Sequence, residues 1–424
     1  MRAAAVQRPV IQGDKMSWYS EMSATEKRTF ISAAGGWAMD ALDFMVFTFV
    51  ISTLITLFGI DSTQAGMLAT VTLLFSAIGG WIAGILADRY GRVRILQATI
   101  LWFSACTFAI GFAQNFEQIF VLRALQGLGF GGEWAVGSVL MGEIVRTEFR
   151  GRAVGTVQSA WSIGWGIAAI VYTALFSWLP EDYAWRALFW VGALPALLVL
   201  YMRRGVPEPE VFQRVRKQQA AGNTRTSMWT IFSPSLIRTT ALTSLLCTGV
   251  QGGYYAVTTW LPTFLKTERH LSVVGTGGYL LVIIVGSFVG YLTGAWLTDR
   301  AGRRANLLIF AMLSGITIYA YTQLRLTNDQ MLVLGFPLGF AASGIFSGMG
   351  AYLTELFPSA VRANGQGFAY NFGRGLGALF PSLVGYLAHG YGLGMAIGMF
   401  AGGAYLVVLI TALLLPETKG REIS

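Results

Sequence analysis

Apolar stretches long enough to cross a bilayer recur from one end of this chain to the other, and they constrain its folding more than any other feature. About 20 apolar residues cover the hydrocarbon as a helix. Such stretches fall at 30–58, 64–87, 95–114, 118–143, 151–178 and 185–202, and again at 238–264, 272–297, 305–323, 330–354, 363–389 and 393–415. Between the two sets lies one long polar stretch, 203–237, with Arg214, Arg216, Lys217, Gln218 and Gln219. Composition agrees: 54% of the 424 residues are hydrophobic and 12% charged, where soluble domains run to about a quarter charged. The 52 glycines fit too, because glycine lets membrane helices approach closely.

The formal net charge of +9 invites a nucleic-acid reading, but its distribution excludes one. Of 30 Lys and Arg, 23 lie in the tails and alternate loops on one side of the expected crossings, among them Arg89, Arg92, Arg94, Arg146, Arg150, Arg152, Arg300, Arg303 and Arg304. The opposite loops hold four: Arg186, Lys266, Arg269 and Arg325. Basic loops stay cytoplasmic, so both termini are expected in the cytoplasm and the chain in the cell inner (plasma) membrane as a multi-pass protein. The first 29 residues are polar and lack the apolar core of a cleavable signal peptide. Cys106 and Cys247 sit in separate apolar runs, which reads as packing and not as a disulfide or metal framework.

The two sets of crossings echo each other. Gly84-Ile-Leu-Ala-Asp88-Arg89-Tyr-Gly91-Arg92 follows the second crossing, and Leu297-Thr-Asp299-Arg300-Ala-Gly302-Arg303-Arg304 follows the eighth, at an offset of 211. Glu143, Arg150 and Gly155 recur as Glu355, Arg362 and Gly367 at an offset of 212. Parallel repeats of six crossings organise one class of secondary transporter. The doubled loop resembles the signature of the major facilitator superfamily, with Ala295 replacing the leading glycine in the second copy. The resemblance covers essentially the whole chain. It implies an all-α membrane protein of twelve helices in two pseudo-symmetric bundles, at 30–202 and 238–415. A cytoplasmic tail at 1–29, a linker at 203–237 and a short tail at 416–424 complete it. The loops are expected to be conformational latches: Asp88 at a helix end can cap a neighbouring helix and pair with Arg150 or Arg152, and Asp299 takes the same place in the second half. Charges that only anchor helix ends are the alternative.

Shorter motifs narrow the resemblance. Asp40-Ala-Leu-Asp43 resembles the paired aspartates of organic-acid/proton symporters, and Gly131-Gly132-Glu133-Trp134 is similar to the sialate and lactate branch. Trp260-Leu-Pro262 and Asn371-Phe-Gly373-Arg374-Gly375 resemble aromatic-acid symporters, and Pro416-Glu417-Thr418-Lys419-Gly420-Arg421 resembles the ending of sugar porters.

An ionisable group at mid-bilayer costs at least about 2.5–3.5 kcal/mol, so each one demands a reason. Asp40 and Asp43, three apart, share a helix face. Two ionised carboxylates that close repel, which readies one of them to hold a proton. Glu133 is a further proton-coupling candidate, with gating or packing as its alternative. Arg374 cannot shed its proton and needs an anionic partner. Its planar fork matches a carboxylate in two places, so a substrate carboxylate is expected there, with a permanent pair to Asp40 or Asp43 left open. Arg123, Trp37, Tyr254, Tyr255, Gln158, Gln251 and Asn371 are candidate substrate contacts at similar depth, for each of which packing is the competing reading.

No phosphate-binding G-x-x-x-x-G-K-[ST] loop occurs, and His270 and His389 are the only histidines. No enzyme, cofactor or metal site is expected. The expected function is proton-coupled uptake of a small organic anion, such as sialate, lactate or an aromatic acid, by a monomer in the lipid bilayer. A neutral-sugar transporter remains open but leaves Arg374 unexplained. A drug exporter lacks its glycine and proline motif in the fifth crossing, and a transporter-like receptor its long tail.

Overall fold

The computed structural model describes residues 19–144, 147–192, 228–358 and 361–419. The described residues form thirteen α-helices and one 3₁₀ turn at Met228–Phe232. In the first half these are α1 (Ala24–Phe58), α2 (Ser62–Tyr90), α3 (Arg92–Ile110), α4 (Phe116–Ile144), α5 (Thr147–Trp178) and α6 (Glu181–Val191). The second half holds α7 (Ile237–Thr267), α8 (Val273–Ala301), α9 (Arg303–Gln323), α10 (Asn328–Leu356), α11 (Arg362–Gly377), α12 (Phe380–Tyr391) and α13 (Leu393–Leu414). Eight of the described helices contain a stretch long and apolar enough to cross a membrane.

Local chemistry sets the helix starts. Ser23 and Glu26 form a capping box, so α1 begins six residues before the apolar run, inside the expected tail. Asp61 with Gln64 and Thr327 with Gln330 start α2 and α10 the same way. The eleventh crossing is not one helix. Pro381 has no N–H and its ring disfavours a continuing α-turn. The turn before it tightens, with the Leu379 N–H donating to the Leu376 carbonyl at 3.2 Å. The crossing is thereby divided into α11 and α12.

The repeat extends into the packing. α2 packs on α4, α1 on α5 and α3 on α4; α8 packs on α10, α7 on α11 and α9 on α10. A Cβ on Gly79 would strike the Leu128 backbone, and one on Gly290 would strike Phe340. Likewise Gly127 faces the Thr72 carbonyl and Gly339 that of Ile283. All four pairs keep the offsets of 211 and 212 seen in the loops. Gly91 and Gly302 end α2 and α8 at φ +114° and +107°, a region only glycine enters freely. Just beyond, Arg92 and Arg303 donate back to the carbonyls of Ala87 and Thr298 at 3.1 and 3.0 Å.

The halves meet along α5 and α8 on one side and α2 with α11 and α12 on the other, while α1 and α7 touch at the centre. At the end of the bundle opposite the doubled loops they are in close contact. Gly66 lies against the backbone of Pro381 and Ser382, Gly385 against Ser62, and Gly277 against Thr173. The Ser382 hydroxyl donates to Thr70 at 2.8 Å, and Lys266 pairs with Glu181 at 3.3 Å.

Candidate functional site

Most of α1 and of α7 is buried, so these two helices bring side chains to the centre. Asp40, Asp43, Arg123, Glu133 and Arg374 are each almost fully buried. They separate into two groups.

The first group lies within the N-terminal half. Asp43 accepts from the Thr107 hydroxyl of α3 and from Gln126 Nε2 of α4 at 2.6 Å. Gln126 Oε1 in turn accepts from Arg123 Nη1 at 2.7 Å. The Arg123 guanidinium stacks over the Phe47 ring at 4.1 Å. Asp43 and Arg123 are therefore joined through an intervening amide. Gln126 and Thr107 were not singled out by sequence reasoning, because an uncharged polar residue in an apolar run is a weak signal.

The second group faces the junction of the halves. Arg374 stands in the last turn of α11, where backbone carbonyls point toward the break and favour a cation. Its guanidinium lies over the rings of Phe130 at 5.5 Å and Tyr370 at 5.3 Å. The hydroxyls of Tyr255 and Tyr370 flank it. Among the described residues its Nε and Nη1 are buried with no hydrogen-bond partner, and so are both carboxyl oxygens of Asp40. Asp40 and Arg374 lie within electrostatic reach without forming an ion pair among the described residues. Glu133 lies across α1, with Oε1 occupying the space a Cβ on Gly36 would take.

Aromatic rings from both halves surround this second group. Phe44 contacts Phe130, Trp161 and Tyr255 at 6.0, 6.1 and 5.8 Å between centroids. Trp37 lies 5.0 Å from Trp161, whose indole N–H donates to the Tyr254 hydroxyl at 2.7 Å. Gln251 donates to the Tyr370 carbonyl at 2.9 Å, joining α7 to α11. Asn371 donates to Gly367 and its oxygen lies against Gly80 of α2. Gln158 is half-buried on α5, one turn from Trp161. Phe130 was not foreseen, since one phenylalanine among 28 carries no signal without its neighbours.

At the loop end, the tail orders the second of the doubled loops. Arg303 makes a forked pair with Glu355, with contacts of 2.8 and 3.0 Å, joining the two sequence echoes. Thr418 donates to the same carboxylate at 2.5 Å. Glu417 accepts the backbone N–H groups of Arg303 and Arg304, both at 3.0 Å, and so caps α9. Burial pushes the Glu417 carboxyl up, but these bonds with those from Lys419 and Thr418 outweigh it and hold the group below its ordinary value. Lys419 donates to the Arg300 carbonyl at 2.6 Å. The side chains of Asp88, Arg89, Glu143, Arg150, Asp299 and Arg362, and the environment of Gly84, lie outside what is described.

Residues 33–317 match the profile of the Major Facilitator Superfamily, and residues 223–424 that of sugar (and other) transporters. A probable 4-methylmuconolactone transporter of Cupriavidus pinatubonensis is 42% identical over 95% of this chain and 94% of its own. A cis,cis-muconate transport protein of Acinetobacter baylyi is 33% identical, covering 94% and 96%. The sialic acid transporter NanX of Escherichia coli is 26% identical over 93% and 96%. Among solved structures, the proton:xylose symporter XylE superposes with a TM-score of 0.75 at 18% identity, over 94% of this chain and 98% of that one, a likeness of fold.

Proposed function

The chain belongs to the major facilitator superfamily of multi-pass membrane transporters, and on that premise we propose that it carries a small organic anion, with protons, by alternating access. The observation that carries the reading is Arg374. A buried guanidinium with two nitrogens lacking acceptors among the described residues is costly unless an anion completes it. A substrate carboxylate accepts from both in parallel. The rings of Phe130 and Tyr370, with Phe44, Trp161 and Tyr255 beside them, favour a planar, unsaturated or aromatic acid over a polyhydroxylated one. The relatives described as 4-methylmuconolactone and cis,cis-muconate transporters support the same class.

The loops at Gly91 and Gly302 face the cytoplasm of the cell inner membrane in this reading, as the placement of Lys and Arg supports. The closed opposite end then faces outside. The Arg303, Glu355 and Glu417 cluster latches the cytoplasmic end, with Asp88, Arg89, Arg92, Glu143 and Arg150 as its first-half counterpart. The docked Pro416–Lys419 ending and the sugar-transporter match at 223–424 favour a sugar porter instead, but a neutral sugar leaves Arg374 unanswered.

Purified protein in liposomes, with an acid-outside gradient imposed, should accumulate an aromatic or unsaturated carboxylate and not xylose. Uptake of xylose alone, or accumulation of acids that ignores the gradient, contradicts the proposal.

A further inference from the structure

Asp40 and Asp43 share a face of α1, yet their surroundings differ completely. Both oxygens of Asp43 are occupied as acceptors. Among the described residues neither oxygen of Asp40 meets an N–H or O–H donor, although Asp40 is fully buried. What Asp40 meets is Glu133. The Glu133 carboxyl lies over Gly36, one helical turn from Asp40 and on the same face, within hydrogen-bonding reach of it. Two buried carboxylates within hydrogen-bonding reach, Asp40 having no donor among the described residues, cannot both stay ionised. One proton between them turns the contact into a hydrogen bond.

We propose that Asp40 and Glu133 form a single carboxyl pair that shares one proton in the empty transporter and takes a second when a substrate carboxylate reaches Arg374. This rests on the organic-anion reading above. The charges balance at each stage. Empty, the pair carries one negative charge and Arg374 one positive. Loaded, the substrate brings one negative charge and the second proton neutralises the pair, so the cluster is again neutral. The shared proton stays with the protein on return. Each cycle therefore moves one proton with one monocarboxylate and no net charge. The charged and titratable groups around the pair are Asp43 on α1, Arg374 and Tyr370 on α11, and Tyr255 on α7. From α5, Trp161 and Gly164 approach, and neither titrates. Asp43 is in this account a positioning residue that ties α1 to α3 and α4 through Thr107 and Gln126.

The test uses the full chain in liposomes, with two readouts. Without substrate, the pH-difference infrared spectrum of the wild type should contain the carbonyl band of a buried protonated acid. The Asp40→Asn/Glu133→Gln double variant should lack that band. With substrate, a gradient of about one pH unit should sustain about tenfold accumulation, independent of a clamped membrane potential. The double variant should exchange substrate across the membrane without accumulating it, while Asp43→Asn, however reduced in yield, should keep one proton per substrate. Should the double variant fail to fold, Glu133→Gln alone places an amide donor on Asp40 and should abolish the empty-state band. The proposal is overturned by a missing band in the wild type, by a band that persists in the variants, or by gradient-driven accumulation in the double variant. Loss of coupling in Asp43→Asn with exchange intact also overturns it. A wild type that shows the band but carries no acid sinks the transport reading and leaves the carboxyl pair standing.

Discussion

Arg374 and Gln126 illustrate how differently two buried polar side chains fail when altered. Arg374→Lys keeps the charge but loses the parallel donors, and truncating one side of such a contact costs about 2–5 kcal/mol. We expect substrate affinity to fall more than about tenfold with the protein still folded, as measured by equilibrium binding and thermal unfolding. Gln126→Leu removes the link between Asp43 and Arg123 and leaves two buried charges without their shared partner. It should destabilise the protein by about 2–4 kcal/mol, visible as a lowered unfolding midpoint. At this scale the sequence exposed the expensive residues, since Asp40, Asp43, Glu133, Arg123 and Arg374 are conspicuous in apolar runs. Their partners were not legible. Pairing Asp40 with Glu133 and not with Asp43 depends on where α4 crosses α1 at Gly36, and spacing within one helix says nothing of that crossing.

Helix pairs obey the repeat more strictly than the residues do. Gly79→Ala and Gly290→Ala each drive a Cβ into a neighbouring backbone, of Leu128 or Phe340, and overpacking of that kind costs about 1–3 kcal/mol. Gly402→Ala meets open space within a helix and should not lower the unfolding midpoint. The tail is a second element-scale device. Because the Glu417 carboxyl is held below its ordinary value in the folded protein, its contribution is present above the unfolded value of about 4.3 and is lost as pH falls through the folded one. Glu417→Gln at neutral pH should lower the protection against hydrogen exchange at Arg303 and Arg304, as should acidifying the wild type through the folded titration of Glu417. Unchanged exchange in both would remove the capping role. The break at Ala378 and Leu379 was legible in principle, since Pro381 marks it, but the continuous apolar run at 363–389 masked it. The docking of Glu417 was not, because a motif of six residues does not say which helix it caps.

Taken whole, the molecule is two halves that touch at the end away from the doubled loops, with the proposed anion site between them. Thr70 and Ser382 bridge that closed end at 2.8 Å, close enough for a disulfide once both are cysteine. Oxidising Thr70→Cys/Ser382→Cys, with Cys106 and Cys247 replaced by serine, should stop transport, and reduction should restore it; full transport by the crosslinked protein contradicts alternating access through this end. Crossing count, repeat and transporter class were all readable from the chain. The chemistry of the cargo depends on rings that five helices bring together and had to await the fold. It is tested most directly by titrating the purified protein with the acid found by uptake and with the uncharged amide of that acid. The account predicts that the wild type binds the acid at least about tenfold more tightly and that Arg374→Lys loses the preference. Equal binding of acid and amide by the wild type contradicts it.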